Sequence, residues 1–238
     1  MYILSLNMRE QRMKLGYDLN DRHVYSLRDA IPHLEGKQFN PEKEFFEFLI
    51  EGSVVPEEIK ALTTFPYEVA ITEADGKLIL STGTINSADG GEGFRERRDN
   101  SRTSFHTHPA NGGEIPVITP SFSDVYLSEF AGDKTTLGLS HPNGIMVYRK
   151  PAYDPDTNTS CEDKEVRNVV LIYCKNRGID VLGGQEGLKR YWDLSDAEKV
   201  KLQRQFVEET KMIVDEASWN DQTSLERVLS QIFGRLSQ

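Results

Sequence analysis

Two short runs of β-forming residues joined by a tight-turn signal constrain the fold of this chain more than any other stretch. Residues 67–73 and 77–82 are rich in aliphatic and β-branched side chains, and an Ala-Asp-Gly segment connects them. A DG pair between two such runs is a strong short-range signal for a β-hairpin. Residues 103–108, TSFHTH, alternate like a further strand, and residues 135–150 predict two more strands around a Pro-Asn-Gly turn. The middle of the chain is therefore predicted to form a β-sheet.

Helical patterns lie before, within and after this sheet. Pro41 suits the first position of a helix, Ser195 and Glu198 have the spacing of a capping box, and Ser121 or Ser123 can cap another helix. Six helices are predicted on such signals and on apolar periodicity, over residues 40–52, 55–66, 121–132, 162–178, 194–217 and 224–236. The order of elements predicts an α/β fold in which a mixed β-sheet is flanked by helices.

The same pattern divides the chain into three segments. We predict an N-terminal helical extension over residues 1–54, an α/β core over residues 55–150 and a C-terminal helical region over residues 151–238. Residues 87–102 are polar and glycine-rich and carry four arginines, so they are predicted to form a surface loop. The FRERR stretch within that loop is either a solvated charged surface or a contact for an acidic partner.

Composition limits the classes of function. The 238-residue chain has a net charge of −10, which disfavours nucleic acid as the main partner because phosphates attract basic surfaces. No run approaches the roughly 20 apolar residues that span a bilayer, and the N-terminus lacks the basic region of a signal peptide. Cys161 and Cys174 do not have the spacing of a disulfide framework or a thiolate zinc site. A cytoplasmic protein without membrane association is therefore expected.

Two histidines on the strand at residues 103–108 suggest a metal site. His106 and His108 are two residues apart, so both side chains leave the same face of the strand. Imidazole is a good zinc ligand, and Asp124 in the first turn of the next predicted helix can supply a third ligand. Two histidines and one carboxylate leave the fourth position open, as a catalytic zinc site requires. The alternative is a pair of exposed histidines beside an ordinary helix cap.

Hydrolysis at such a site needs a general base and a donor for the oxyanion. Ser121 lies three residues before Asp124, so it shares that helix face and can present its hydroxyl near the metal. Glu68 is the best candidate for the base, and Glu73 is its rival five residues later. His141, in a Ser-His-Pro-Asn-Gly turn signature, is interpreted as a turn residue rather than a ligand. His23 and His33 also lack metal-like spacing.

The sequence HTHP (106–109), followed by PSFSD (120–124) and preceded by Glu68, resembles the motif of the JAMM (MPN-plus, or JAB domain) metalloproteases. The resemblance covers about residues 55–150 and implies a cytidine-deaminase-like JAMM/MPN core. It implies one Zn²⁺ per chain on His106, His108 and Asp124. The interval from His108 to Ser121 is longer than the family usually has, and a loop absorbs such an excess at small entropic cost.

The resemblance also implies a reaction. Glu68 would take a proton from zinc-activated water and pass it to the leaving amine, while Ser121 would stabilise the oxyanion. Family members cleave peptide or isopeptide bonds, often those of ubiquitin-like proteins. The expected function is therefore a zinc-dependent isopeptidase that acts on a protein substrate, such as a ubiquitin-like protein or its conjugate. The alternatives are a non-catalytic MPN-fold scaffold that binds protein partners and a zinc hydrolase of small amides. The oligomeric state is left open.

Overall fold

The computed structural model describes residues 13–15, 24–35, 44–74, 77–83, 103–109, 120–127, 136–154, 156–161, 166–180 and 184–234. Its strands are β1 (Met13–Leu15), β2 (Val24–Tyr25), β3 (Glu44–Ile50), β4 (Val69–Ala74), β5 (Lys77–Thr82), β6 (Thr103–Thr107), β7 (Thr136–His141), β8 (Gly144–Tyr148), β9 (Tyr153–Asp154), β10 (Thr159–Ser160) and β11 (Val214–Ser218). Its helices are α1 (Leu27–Leu34), α2 (Pro56–Leu62), α3 (Phe122–Leu127), α4 (Val166–Asn176), α5 (Gly184–Trp192), α6 (Asp196–Glu209) and α7 (Gln222–Phe233).

Within these described ranges, nine strands form one mixed sheet. The order is β1-β3-β5-β4-β6-β7-β8-β11, with β2 also paired to β3, while β9 and β10 form a separate antiparallel pair. β4 and β5 form the predicted antiparallel hairpin, β4 lies antiparallel to β6, and β6 lies parallel to β7. The chain between β6 and β7 includes α3, as a parallel connection usually does. The prediction of an α/β fold with a mixed sheet flanked by helices is confirmed.

One face of the sheet, the α7 face, packs against α1, α2 and α7. Strand alternation sends Ile71 and Phe105 to this face, where they are fully buried with Val228 of α7. The ring of Phe105 lies 5.5 Å from that of Phe233. Gly138 leaves room for this packing, because a Cβ there would lie 2.9 Å from Ile232 Cδ1 and 3.0 Å from Phe105 Cδ2. The α7 face is thus a continuous apolar core.

The opposite face, the α3 face, packs against α3, α4 and α6. β7 and β8 turn every second side chain to this face, and these are Leu137, Leu139, Met146 and Tyr148. Val125, Tyr173 and Phe206 cover them from the three helices. The same parity places His106 on the α3 face, because His106 lies opposite Ala70 on one side and Leu139 on the other. The sheet therefore carries a second core next to a polar region.

The predicted helix over residues 40–52 is wrong. Residues 44–50 form β3, which pairs antiparallel with β5 and parallel with β1. Phe46, Phe48 and Ile50 recur every second residue and point into the core of the α7 face. Both faces of β3 are covered, so its sequence is almost continuously apolar and its period of two is hidden.

The predicted helix over residues 194–217 is correct at its beginning and wrong at its end. The capping box of Ser195 and Glu198 is present, but the helix stops at Glu209 and residues 214–218 form β11, paired with β8. The helix ends in a Schellman motif. Met212 N–H donates to Val207 O, Lys211 N–H donates to Glu208 O, and Lys211 has a φ of 52°. Because lysine rather than glycine occupies this left-handed position, the stop signal was not visible in the sequence.

The remaining predictions of secondary structure are confirmed where residues are described. α2, α3 and α4 lie within predicted helices, α7 begins two residues before the predicted helix, and β6, β7 and β8 lie in predicted strands. The loop at residues 87–102 and the end of the predicted helix at Gly132 lie outside the described residues. The extensions at 1–54 and 151–238 are not purely helical as predicted, because β3 and β11 belong to the main sheet. The boundaries at residues 54 and 150 stay predictions. In the described ranges no helix is long and apolar enough to cross a membrane.

Candidate metal centre

β6 places the two histidines of the candidate site. Phe105 and Thr107 point to the α7 face and anchor the strand, since both are completely buried. His106 and His108 point to the α3 face and are 9% and 7% exposed. The main chain of His108 is held to β7 by a 2.7 Å hydrogen bond from its N–H to Ser140 O. Both imidazoles therefore project from the end of a paired strand and are largely buried.

α3 places the carboxylate of Asp124. The helix is only six residues long, so packing rather than propensity holds it in place. Val125 is completely buried, and the Phe122 ring lies 5.3 Å from the ring of Phe206 and 5.9 Å from that of Tyr173. These contacts fix the first turn of α3 above the end of β6.

Ser121 and Asp124 cap α3 reciprocally. The main-chain N–H of Asp124 donates to Ser121 Oγ at 3.2 Å, and the N–H of Ser121 donates to Asp124 Oδ2 at 2.6 Å. This is the geometry of a capping box with aspartate in place of glutamate. Of the two serines considered as caps, Ser121 is the one that caps. The arrangement holds the Asp124 side chain in one orientation, towards the histidines.

The three predicted ligands converge. His106 Nε2 lies 3.1 Å from His108 Nε2 and 3.3 Å from Asp124 Oδ1, and His108 Nε2 lies 3.4 Å from Asp124 Oδ2. Zinc bonds of about 2.0 to 2.2 Å in a tetrahedron imply ligand atoms about 3.3 Å apart. Each of the three separations is close to this value, and the two that involve Asp124 are made by different oxygens of its carboxylate. His106, His108 and Asp124 thus form a group that could hold a metal ion.

The electrostatics of Asp124 suit a ligand. Burial by itself raises the pKa of this carboxyl, but the charge of His106, together with hydrogen bonds from both imidazoles, outweighs burial. The pKa of Asp124 is consequently held well below its usual range. The carboxyl group is ionised at neutral pH, as metal binding requires.

Glu68 lies on the same side of the sheet as the histidines. Ala70 pairs with His106, and the same antiparallel register continued by two residues places Glu68 opposite His108. Two hydrogen bonds position this stretch: Val69 N–H donates to Thr107 Oγ1 at 2.9 Å, and Gly83 N–H donates to Glu68 O at 2.7 Å. Glu68 is 9% exposed.

Tyr148 gives a second indication of where the Glu68 carboxylate lies. The pKa of Tyr148 is raised well above its usual range, first by burial, then by the charges of Asp124 and Glu68. Both carboxylates therefore lie near one buried phenol on the α3 face. They do so from different elements, since Asp124 is on α3 and Glu68 directly precedes β4.

Glu73 lies on the other side of the sheet. It lies two residues after Ile71 and therefore points to the same face, the α7 face. It pairs with Thr103, at the end of β6 that is far from the histidines. The geometry therefore favours Glu68 over Glu73 as the carboxylate that faces the ligands. The catalytic roles of Glu68 and Ser121 stay predictions.

His141 was interpreted as a turn residue, and the structure places it beside the site. It ends β7, is 6% exposed, and its Nδ1 accepts the main-chain N–H of Asn143 at 3.2 Å. Burial, and then the charge of His108, lower the pKa of His141 to about 4. The alternation Leu137, Leu139, His141 was visible in the sequence, but the parallel pairing of β6 with β7 was not.

His33 does not join this group. His33 lies on α1, with its ring 5.2 Å from that of Tyr25 on the α7 face. His23 and residues 94–98 lie outside the described residues.

No family model matches this chain, and neither does any curated protein or solved structure. Function must therefore be inferred from the site itself.

Proposed function

We propose that this protein is a zinc-dependent hydrolase of the JAMM type that cleaves an amide bond. The observation that carries the proposal is the convergence of two imidazole nitrogens and one carboxylate, whose atoms lie 3.1 to 3.4 Å apart. Zinc suits this mixture of nitrogen and oxygen ligands, and three protein ligands are typical of catalytic rather than structural zinc. A cytidine-deaminase-like core is part of the same proposal.

When bound, zinc supplies a Lewis acid that lowers the pKa of water and polarises a carbonyl group. The protein supplies the proton transfers. Glu68 faces the ligands from the neighbouring strand, so its carboxylate takes a proton from the attacking water and delivers it to the leaving amine. The Ser121 oxygen accepts a hydrogen bond from the Asp124 N–H. The O–H of Ser121 is therefore available to donate a hydrogen bond to the developing oxyanion.

The substrate class follows from the family resemblance. We propose an extended peptide or isopeptide substrate, such as the tail of a ubiquitin-like protein joined to a target. A small amide is the alternative substrate, and a silent scaffold is the alternative function. The carboxylate on the same face as the ligands supports an enzyme, because a scaffold needs no base there.

The first experiment measures zinc per chain by elemental mass spectrometry in wild type and in Asp124→Ala. We expect about one zinc in the wild type and almost none in the variant, since one of three ligands is lost. Asp221→Ala is the matched control. Asp221 also caps a helix and accepts a main-chain N–H, from Ser224 at 3.2 Å, but it lies at the start of α7. Equal zinc in all three proteins would exclude the proposed ligand set.

The second experiment separates the functions. The zinc-loaded protein is incubated with a linear fusion to a ubiquitin-like protein and, in parallel, with a panel of small amides. Cleavage of the fusion supports the isopeptidase, and cleavage of small amides alone supports the smaller substrate. Zinc binding with no cleavage of either would favour the scaffold.

A further inference from the structure

His141 is the direct neighbour of His108 in the sheet. Thr107 pairs with Ser140 in the parallel ladder of β6 and β7, so the next position along both strands brings His108 beside His141. The N–H of His108 bonded to Ser140 O shows that the pairing extends to this point. The two histidines have the same parity, and both point to the α3 face. His108 is thus flanked by Glu68 on one strand and His141 on the other.

The position of the proton on the His141 ring is fixed by the main chain of Asn143. Nδ1 accepts the N–H of Asn143, so Nδ1 carries no proton and the single ring proton lies on Nε2. A second hydrogen bond, from Trp219 Nε1 to His141 O at 3.0 Å, holds the end of β7 in place. His141 therefore presents a directed N–H donor.

This donor does not serve the metal or the fold. A ring nitrogen that carries a proton has no lone pair for a metal, and His141 lies outside the group of converging ligand atoms. Within the described residues, no side chain or main-chain group accepts from His141 Nε2. His141 Nε2 does not belong to the buried polar atoms that lack a partner, so solvent reaches it and a ligand carbonyl can replace water as its acceptor.

We propose that His141 binds the substrate: its Nε2–H donates to a main-chain carbonyl oxygen next to the scissile amide. The proposal rests on the proposed function, because it takes the metal group as the point where the scissile amide binds. On one side of His108 Glu68 would move protons, and on the other side His141 would hold the chain of the substrate. An extended peptide offers such a second carbonyl, whereas a simple amide does not. His141 would therefore favour peptide substrates.

The test uses two hydroxamates that differ by one glycyl unit, which adds one peptide carbonyl. Acetohydroxamate offers only the metal-binding group, and N-acetylglycine hydroxamate adds one peptide unit. Binding of both to the zinc-loaded full chain is measured by calorimetry for wild type, His141→Phe and His141→Gln. Phenylalanine keeps a ring without the donor, and the glutamine amide restores an N–H at a similar reach.

We expect His141→Phe to weaken the longer probe about fivefold, the range of one neutral hydrogen bond, and to leave the shorter probe almost unchanged. His141→Gln should recover most of the lost affinity. Zinc content, measured on the same samples, should be equal in the three proteins. His141→Phe also removes the acceptor of the Asn143 N–H, so its thermal midpoint should fall slightly. A purely structural role would lower zinc content and would weaken both probes equally.

Three results would overturn the proposal. Equal affinity of wild type and His141→Phe for the longer probe would show that the donor is not used. Loss of zinc in His141→Phe, or equal weakening of both probes, would assign the residue to the fold. A wild-type chain that binds no zinc would refute the proposed function as well. In the first two results the wild type still binds zinc, so the zinc content of the wild type distinguishes the two kinds of failure.

Discussion

On the α7 face of the sheet, β6 contributes Phe105 to a closed apolar core, whereas on the α3 face the same strand presents His106 and His108. The residues of β4 and those just before it divide in the same way. Ile71 enters the core, and Glu68 lies opposite His108. Neighbouring positions in the sequence thus carry different tasks, because successive side chains of a strand leave opposite faces.

In β4 and β6, the side chains that stabilise the fold and those that form the candidate site therefore point to opposite faces of the sheet. A change on the α7 face should alter the free energy of unfolding and spare metal binding. A change on the α3 face near the strand ends should do the reverse. The most informative experiments are pairs of variants that differ only in the face they affect.

The largest expected effect is on turnover, from Glu68→Gln. Glutamine keeps the size of the side chain but is a very weak base, so kcat should fall about a thousandfold, within the range of general acid–base catalysis. Zinc content should be unchanged. Steady-state kinetics with the substrate that is cleaved, together with elemental analysis, measures both quantities.

Glu73→Gln is the matched control, because it makes the same change five residues later, within β4 and on the α7 face. Its kcat should stay within about twofold of wild type after correction for folded protein. If Glu73→Gln lost turnover and Glu68→Gln kept it, the assignment of the base by strand parity would be wrong.

Phe105→Ala should give the largest loss of stability on the other face. Phe105 is 1% exposed, and truncating a buried phenylalanine to alanine costs about 3 to 4 kcal/mol. Urea unfolding of the zinc-free protein measures the change in free energy. The folded fraction should still bind one zinc per chain, whereas His106→Ala should lose zinc with a smaller change in the stability of the zinc-free protein. Zinc loss in folded Phe105→Ala would break the separation of the faces.

Much of the candidate site was predictable, because its residues are close in sequence. The alternation of His106 and His108 and the spacing of Ser121 and Asp124 are local patterns with a local geometric meaning. Their convergence depends on the crossover from β6 to α3, which the family resemblance implied. His141 was missed because its place beside His108 depends on parallel pairing between strands that are distant in sequence.

The fold was less predictable at the two edges of the central region. β3 reads as an amphipathic helix when Phe45, Phe48 and Leu49 are taken as one face, and only the sheet on both sides of it decides otherwise. β11 was hidden by the lysine in the left-handed position after α6. In both places long-range pairing overrides a local signal, so inspection of one sequence could not separate the two structures.

Zinc itself should stabilise the folded chain by a predictable amount. A ligand that binds only the native state at 100 times its Kd adds about 2.7 kcal/mol to the free energy of unfolding. Thermal or urea unfolding of wild type with and without zinc should show this gain. Asp124→Asn, which keeps the shape of the cap but loses the charged ligand, should gain much less. A gain of equal size in Asp124→Asn would place the bound zinc elsewhere.

The smallest expected effect tests whether a residue on the α7 face can act on the site through the backbone. Thr107 Oγ1 accepts the N–H of Val69 at 2.9 Å and is fully buried, so Thr107→Val keeps the volume and leaves that N–H without its acceptor. The unpaired donor should cost about 1.5 kcal/mol in urea unfolding. Thr107→Ser restores the oxygen and should recover most of this loss.

The same hydrogen bond positions Glu68, the residue immediately before Val69. Thr107→Val should therefore lower kcat several-fold while zinc content stays at one per chain, and Thr107→Ser should restore kcat. A stability loss without any change in kcat would show that the register of β4 and β5 alone holds Glu68. In that case the two faces are more independent than the hydrogen bond between β4 and β6 implies, since the Gly83 N–H to Glu68 O bond would suffice to hold the base in place.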